Sequence, residues 1–260
     1  MLSCRRRFVQ AQIDNDLTLC GLLPAVLQFF ERRIDVEAMT AQLQQLRQSP
    51  SSSTDRKDQL WAQVKIASFT RTVGSLYTLA LLFCVIRIQH NILARRQYVA
   101  SFKHASKAST SERNTDSWKT TSQSDIDFVF MLVSSYLLNT GADHILARVQ
   151  TAVEEAFGSI DITKSLSLAD AVKGLRQIRD GVECMDGDNP YDPLKQCLLP
   201  QESDDELLVR AICLGNMTGP TMDAVRNEIL PDPRFKELLN ETRDYLERLV
   251  YFLVIQASLC

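Results

Sequence analysis

Hydrophobic positions recur at alternating steps of three and four along most of the chain, the period of a helix with one buried side. The longest such run opens KDQLWAQVKIASFTRTVGSLYTLALLFCVIRIQHNILARRQY at Lys57, with no proline and a single glycine, Gly74. Ile66, Phe69, Val73, Leu76, Ala80 and Phe83 fall on one face of it. Between Leu76 and Ile88 the polar face nearly disappears, which marks a helix surrounded by others. The pattern predicts one long central helix over residues 57–103, roughly 70 Å from end to end. Ser53, Thr54 and Asp55 stand just upstream and can cap its first amides. The apolar centre from Leu76 to Ile86 is 11 residues, closed by Arg87. A bilayer needs about 20, so this reads as buried core and not as a membrane span.

The flanking segments are helical as well. A first helix is expected from about Cys4 to Leu23, with Phe8, Ile13, Leu17, Cys20 and Leu23 as its apolar side. Pro24 then kinks it or starts the next helix. Asp35 is placed to cap VEAMTAQLQQLR, in which Val36, Met39, Leu43 and Leu46 keep the helical step. Residues 48–56 read as a flexible connector, and 104–124, almost without apolar side chains except Trp118, as a mobile polar loop. Asp125 starts a further helix that Gly141 closes, and Ala142 to Phe157 is amphipathic and ends at Gly158. Thr163 to Cys184 follows with Leu168, Val172, Leu175, Ile178 and Val182 facing inward. MDGDNPYDP is turn-rich, 194–220 is ambiguous, and two helices close the chain, from Thr221 to Leu230 and from Arg234 onward. No repeat and no convincing strand alternation is present. The expectation is an all-α fold, one helical-bundle domain over residues 1–260 built on the long helix.

Composition sharpens this only in part. The chain has 260 residues, 45% of them hydrophobic, so it can bury a substantial core. A net charge of −3 gives no electrostatic case for nucleic acid. Basic residues cluster at Arg5, Arg6 and Arg7 and again at Arg95 and Arg96, as solvated helix ends or as an edge facing anionic lipid. Seven cysteines without CxxC spacing fit reduced thiols better than a disulfide framework or a zinc site. Glycine-rich phosphate loops, GxSxG and HExxH are all absent from the sequence. His90, His104 and His144 are far apart, and the acidic pairs Asp125/Asp127 and Asp204/Asp205/Glu206 suit helix N-termini. No catalytic residue, metal ligand or cofactor site is expected.

Trp61, preceded by Lys57 and Leu60 in the first turns of the long helix, is the residue with two readings. It lines a groove for a partner helix, or it is an ordinary core tryptophan covering a helix end.

The stretch LWAQVKIASFTRTVGSLYTLALLFCVIRIQHNILARRQY, residues 60–98, closely resembles the signature helix of the peroxin-3 family of peroxisomal membrane docking factors. LLP at 22–24, IDVEAMTAQLQQLR at 34–47, FGSIDITKSLSLADAVKGLRQIRDGVE at 157–183 and LLNETRDYLERL at 238–249 follow the family's order. The resemblance implies a monomeric, twisted helical bundle facing the cytosol at the peroxisomal membrane. It implies binding of peroxin-19, whose amphipathic N-terminal helix enters an apolar groove. Trp61 matches the groove's central tryptophan and Lys57 a lysine one turn earlier; Val64 falls at an apolar groove position, and Thr40 and Leu43 at the wall from the preceding helix. Leu60 adjoins them. Family members start with a transmembrane anchor, and Arg5-Arg6-Arg7-Phe8 resembles the basic region after it, so the chain is expected to be the cytosolic part. A helical scaffold or tether that binds no peroxin-19, with Trp61 in its core, is the competing expectation.

Overall fold

The computed structural model describes residues 2–48, 54–107, 122–161, 165–183, 196–200, 205–214 and 221–258. Residues 49–53 of the expected connector, 108–121 of the expected polar loop with Trp118, and the turn-rich 185–193 lie outside the described residues. The elements are helices throughout: α1 (Leu2–Arg33), α2 (Val36–Gln48), α3 (Thr54–Lys107), α4 (Gln123–Leu132), α5 (Ala142–Phe157), α6 (Leu168–Glu183), α7 (Asp205–Leu214), the short α8 (Met222–Ala224) and α9 (Pro233–Ser258). Two π-helical turns, Leu137–Gly141 and Val225–Ile229, precede α5 and follow α8. The fold is therefore all-α and organised on one long helix, α3, which extends a few residues beyond the expected span at both ends.

Several boundaries have local causes. The Asp35 carboxylate accepts from the Ala38 amide at 2.7 Å, capping α2 as the sequence suggests. Thr221 does the same for Ala224 at the start of α8. Pro24 neither breaks α1 nor starts a new helix; α1 runs through it. Gly141 does not close a helix either. It lies in the right-handed region and passes the chain from the π-turn straight into α5.

The chain divides into two compact units, and α1 and α3 contribute to both. The first comprises Met1–Leu22, Leu81–Leu137 and Leu198–Cys260. Its core gathers Leu82, Val85, Ile86 and Ile92 of α3 with Ile126, Val129 and Phe130 of α4, Val209 and Ile212 of α7, and Phe235 and Leu238 of α9. The Gln89 amide, itself buried, donates to the Phe130 carbonyl at 2.6 Å. The Ser135 hydroxyl donates to the Ala211 carbonyl at 2.8 Å. Arg95 bonds Glu241, and Arg96 reaches Glu237 at 3.3 Å and Glu241 at 3.5 Å, so this basic pair is tied to α9. By length and composition α3 could cross a membrane, and only about a third of its most apolar stretch is buried. Here Leu82, Val85 and Ile86 are fully buried against protein.

The second unit comprises Leu23–Ala80 and Leu138–Cys197. Phe69 stacks on Phe157 with ring centroids 4.7 Å apart. Gly74 lets α3 approach closely, since a Cβ there would stand 3.2 Å from both Leu146 and Phe30. Gly174 brings α6 against the Phe157 ring in the same way.

Three expected faces are corrected. In α1, Ile13, Leu17, Cys20 and Leu23 are exposed, Leu17 at 66%. Val26 and Phe30 face inward instead, and because the helix is continuous through Pro24 that face extends back to the buried Asn15. In α3, Leu76 is 62% exposed and Ala80 exposed, whereas Thr70, Gly74 and Thr78 are buried. Close packing selected small residues for the inner line. In α6, Leu168 is 82% exposed and Val172 and Leu175 are exposed too; only Ile178 and Val182 of the expected five are buried. Contact through Gly174 turns the neighbouring leucines outward.

Candidate functional site

The first turns of α3 and the end of α5 build one concave surface within the second unit. Trp61 stands there 36% exposed, its indole neither sealed in the core nor fully in water. It shares its face of α3 with Lys57 and Lys65, four residues to either side. Beside the ring lies an open concavity of about 660 Å³, lined by Asp58, Trp61, Ala62 and Lys65 of α3 and by residues Gly158, Ser159, Ile160 and Asp161.

The far wall is held by main-chain chemistry. α5 ends at Phe157 with Gly158 as its cap, and the Phe157 carbonyl accepts only a turn bond, from the Ile160 amide at 3.2 Å. The Lys65 ammonium donates to the Phe157 carbonyl at 2.7 Å and to the Ile160 carbonyl at 2.6 Å. A cation at a helix C-terminus is favoured by the aligned peptide dipoles as well. Lys65 thus fixes the distance between Trp61 and the segment after α5.

On the other side, α2 comes against α3. Arg71 donates to both carboxylate oxygens of Glu37, at 2.9 and 2.7 Å. That hydrogen bonding holds the Glu37 carboxyl below its usual range and raises Arg71 above its own. Near the end of α2 the Arg47 guanidinium carbon sits 5.6 Å from the centre of the Trp61 ring. A second concavity, of about 450 Å³, lies along another flank of α3. Ile34, Met39, Ala62, Ile66 and Ala67 supply its apolar lining, and Arg33, Gln150 and Glu154 its polar edge.

The residues expected at a groove are placed as follows. Trp61 lines the concavity. Lys57, Leu60 and Val64 are half-buried, and none of the three lines it. The Thr40 hydroxyl donates back to the Val36 carbonyl of its own helix at 2.8 Å. Leu43 is only 3% exposed, a core residue between α2 and its neighbours. Asp58, Ala62, Lys65 and the segment 158–161 are the site residues that sequence reasoning missed, as is Arg47. The one hint in the sequence was Gly158 ending α5, which leaves carbonyls for a lysine to meet. Among the described residues no group of three or more His, Cys, Asp or Glu side chains is disposed to hold a metal ion.

The surface can accept an apolar side chain against an indole, with polar groups around it. The sequence model of the peroxin-3 family matches residues 46–259. Peroxisomal biogenesis factor 3 of Bos taurus is 26% identical over 246 residues, covering 92% of this chain and 58% of that protein. The Homo sapiens protein of the same name is likewise 26% identical, with the same coverage. Peroxisomal biogenesis factor 3 of the yeast Debaryomyces hansenii is 29% identical over 63% of this chain and 45% of its own. The chain thus spans 58% of the length of the mammalian relatives it matches.

Proposed function

The chain belongs to the peroxin-3 family, and from that premise we propose that it acts in peroxisome biogenesis as a docking receptor at the peroxisomal membrane, facing the cytosol. It works by binding and not by catalysis. Its partner is peroxin-19, whose amphipathic N-terminal helix lays its apolar face against Trp61, the mode in which a helix fills a groove through a few anchoring side chains. In this way it receives newly made peroxisomal membrane proteins for insertion. The names of the relatives, peroxisomal biogenesis factor 3, support the setting.

The observation that carries the reading is the half-open indole beside a concavity whose far wall Lys65 holds in place. Tryptophan at the centre of a partly desolvated pocket is the residue type that most often dominates a binding interface. Lys57 and Val64 stand one turn to either side of Trp61 on α3 and Leu60 precedes it, while Leu43 is buried on α2.

Titration of the peroxin-19 N-terminal helix into wild-type and Trp61→Ala protein tests this. Loss of about 2 kcal/mol or more in affinity, with helical content and melting temperature close to wild type, is expected. Undiminished affinity in the variant removes the reading. A variant that instead melts far below wild type, with no peptide binding by either protein, favours a scaffold whose Trp61 is structural.

A further inference from the structure

The Trp61 ring is not a bare apolar surface, because a cation sits on it. Arg47 is exposed, and its guanidinium is within the range of a cation–π contact with the indole. Glu37, the one acidic residue of α2, is committed to Arg71, so Arg47 has no carboxylate from its own helix. Around the ring the charges are unequal: Arg47, Lys57 and Lys65 are cations, against the carboxylates of Asp58, one turn before Trp61, and Asp161 on the far wall. This local excess of positive charge stands on a chain of net charge −3.

An apolar helix laid on Trp61 removes water from Arg47 as well. An unpaired guanidinium under such a cover is costly, and a carboxylate brought by the incoming helix offsets that cost with a forked, charge-assisted hydrogen bond. We propose that Arg47, held on the Trp61 ring, reads the charge of the arriving helix and selects an amphipathic segment that carries a carboxylate at the edge of its apolar face. This deepens the docking function above and rests on it. Trp61 supplies affinity; Arg47 supplies discrimination, because a lysine in place of that carboxylate meets like charge.

The test uses the full chain and one fluorescently labelled amphipathic helical peptide in three versions, with Glu, Gln or Lys at the edge of its apolar face. Anisotropy titrations on the wild-type protein read the preference without any substitution. Wild type is expected to bind the Glu peptide about fivefold more tightly than the Gln peptide, and the Lys peptide most weakly. The order reverses in Arg47→Glu, flattens in Arg47→Gln, and shrinks as salt rises. Equal binding of the three peptides by wild type, in a manner that Trp61→Ala abolishes, overturns the role of Arg47 and leaves the docking reading intact. So does a Glu preference that persists in Arg47→Glu. If no peptide binds saturably, or Trp61→Ala binds as wild type does, the docking reading fails and this one with it.

Discussion

The Lys65 ammonium and the Phe157 carbonyl are 2.7 Å apart, and this contact joins the start of α3 to the end of α5. The side chain of Phe157 does something different: its ring is buried, stacked on Phe69 and pressed against Gly174. One residue therefore carries the wall of the Trp61 concavity on its main chain and the packing of α6 on its side chain. Lys65→Met keeps the aliphatic stem and removes the donor, leaving the Phe157 and Ile160 carbonyls without it. A loss of about 1–2 kcal/mol in urea denaturation is expected, together with weaker peptide binding at Trp61. Unchanged stability and unchanged affinity together would show the contact to be dispensable.

Gly174→Ala is expected to destabilise, although alanine is the better helix former by about 1 kcal/mol. A Cβ at 174 stands 2.5 Å from two atoms of the Phe157 ring. The ring cannot swing clear, since Phe69 lies stacked on it. Overpacking of this kind costs about 1–3 kcal/mol. A thermal melt that rises in Gly174→Ala would mean that α6 does not approach α5 here.

These two residues also show where sequence reading succeeds and where it stops. The long helix was legible because Lys57 to Lys103 offers no proline and only one glycine, so no alternative to a continuous helix exists. Caps with a local partner, such as Asp35 on Ala38, were legible for the same reason: cause and effect lie within one turn. The faces of α1, α3 and α6 were not. Hydrophobicity assigns leucine inward, but a helix in close contact puts glycine, threonine or asparagine on its inner line, and Asn15, Thr70, Thr78 and Gly174 took those places. At the site, Trp61 was legible as a residue type. Lys65 was not, because its partners are carbonyls far along the chain, which carry no signature in the residue names.

Tyr77 and Glu183 supply a pH-dependent test. The phenol donates to the Glu183 carboxylate at 2.8 Å, and burial with that bond raises the Tyr77 pKa well above its ordinary value. The unfolded tyrosine ionises near pH 10 while the folded one keeps its proton. Above that pH the folded state binds more protons than the unfolded one, so this contribution is present in full below about pH 10 and is lost as pH rises through the folded pKa. Tyr77→Phe should cost about 1 kcal/mol at neutral pH and show a shallower fall in stability above pH 10. Parallel pH profiles for the two proteins would remove the Tyr77–Glu183 bond from the account.

Thiol reactivity reports the same packing from another side. Cys20 is exposed on α1, whereas Cys197 is buried, and burial pushes its thiol up to about 11 against a partly opposing pull from Arg148. At pH 7.5 a thiol so shifted is thiolate in fewer than about one molecule in a thousand, and the reagent has no path to it. Alkylation followed by peptide mass spectrometry should modify Cys20 in the native protein. Cys197 should react only through opening of the fold, at a rate that climbs with urea in step with global unfolding. If Cys197 were alkylated as fast as Cys20 without denaturant, the end of the second unit would be open to solvent. The concavity at Trp61, which depends on α5 and its neighbours staying packed, would then have no rigid wall.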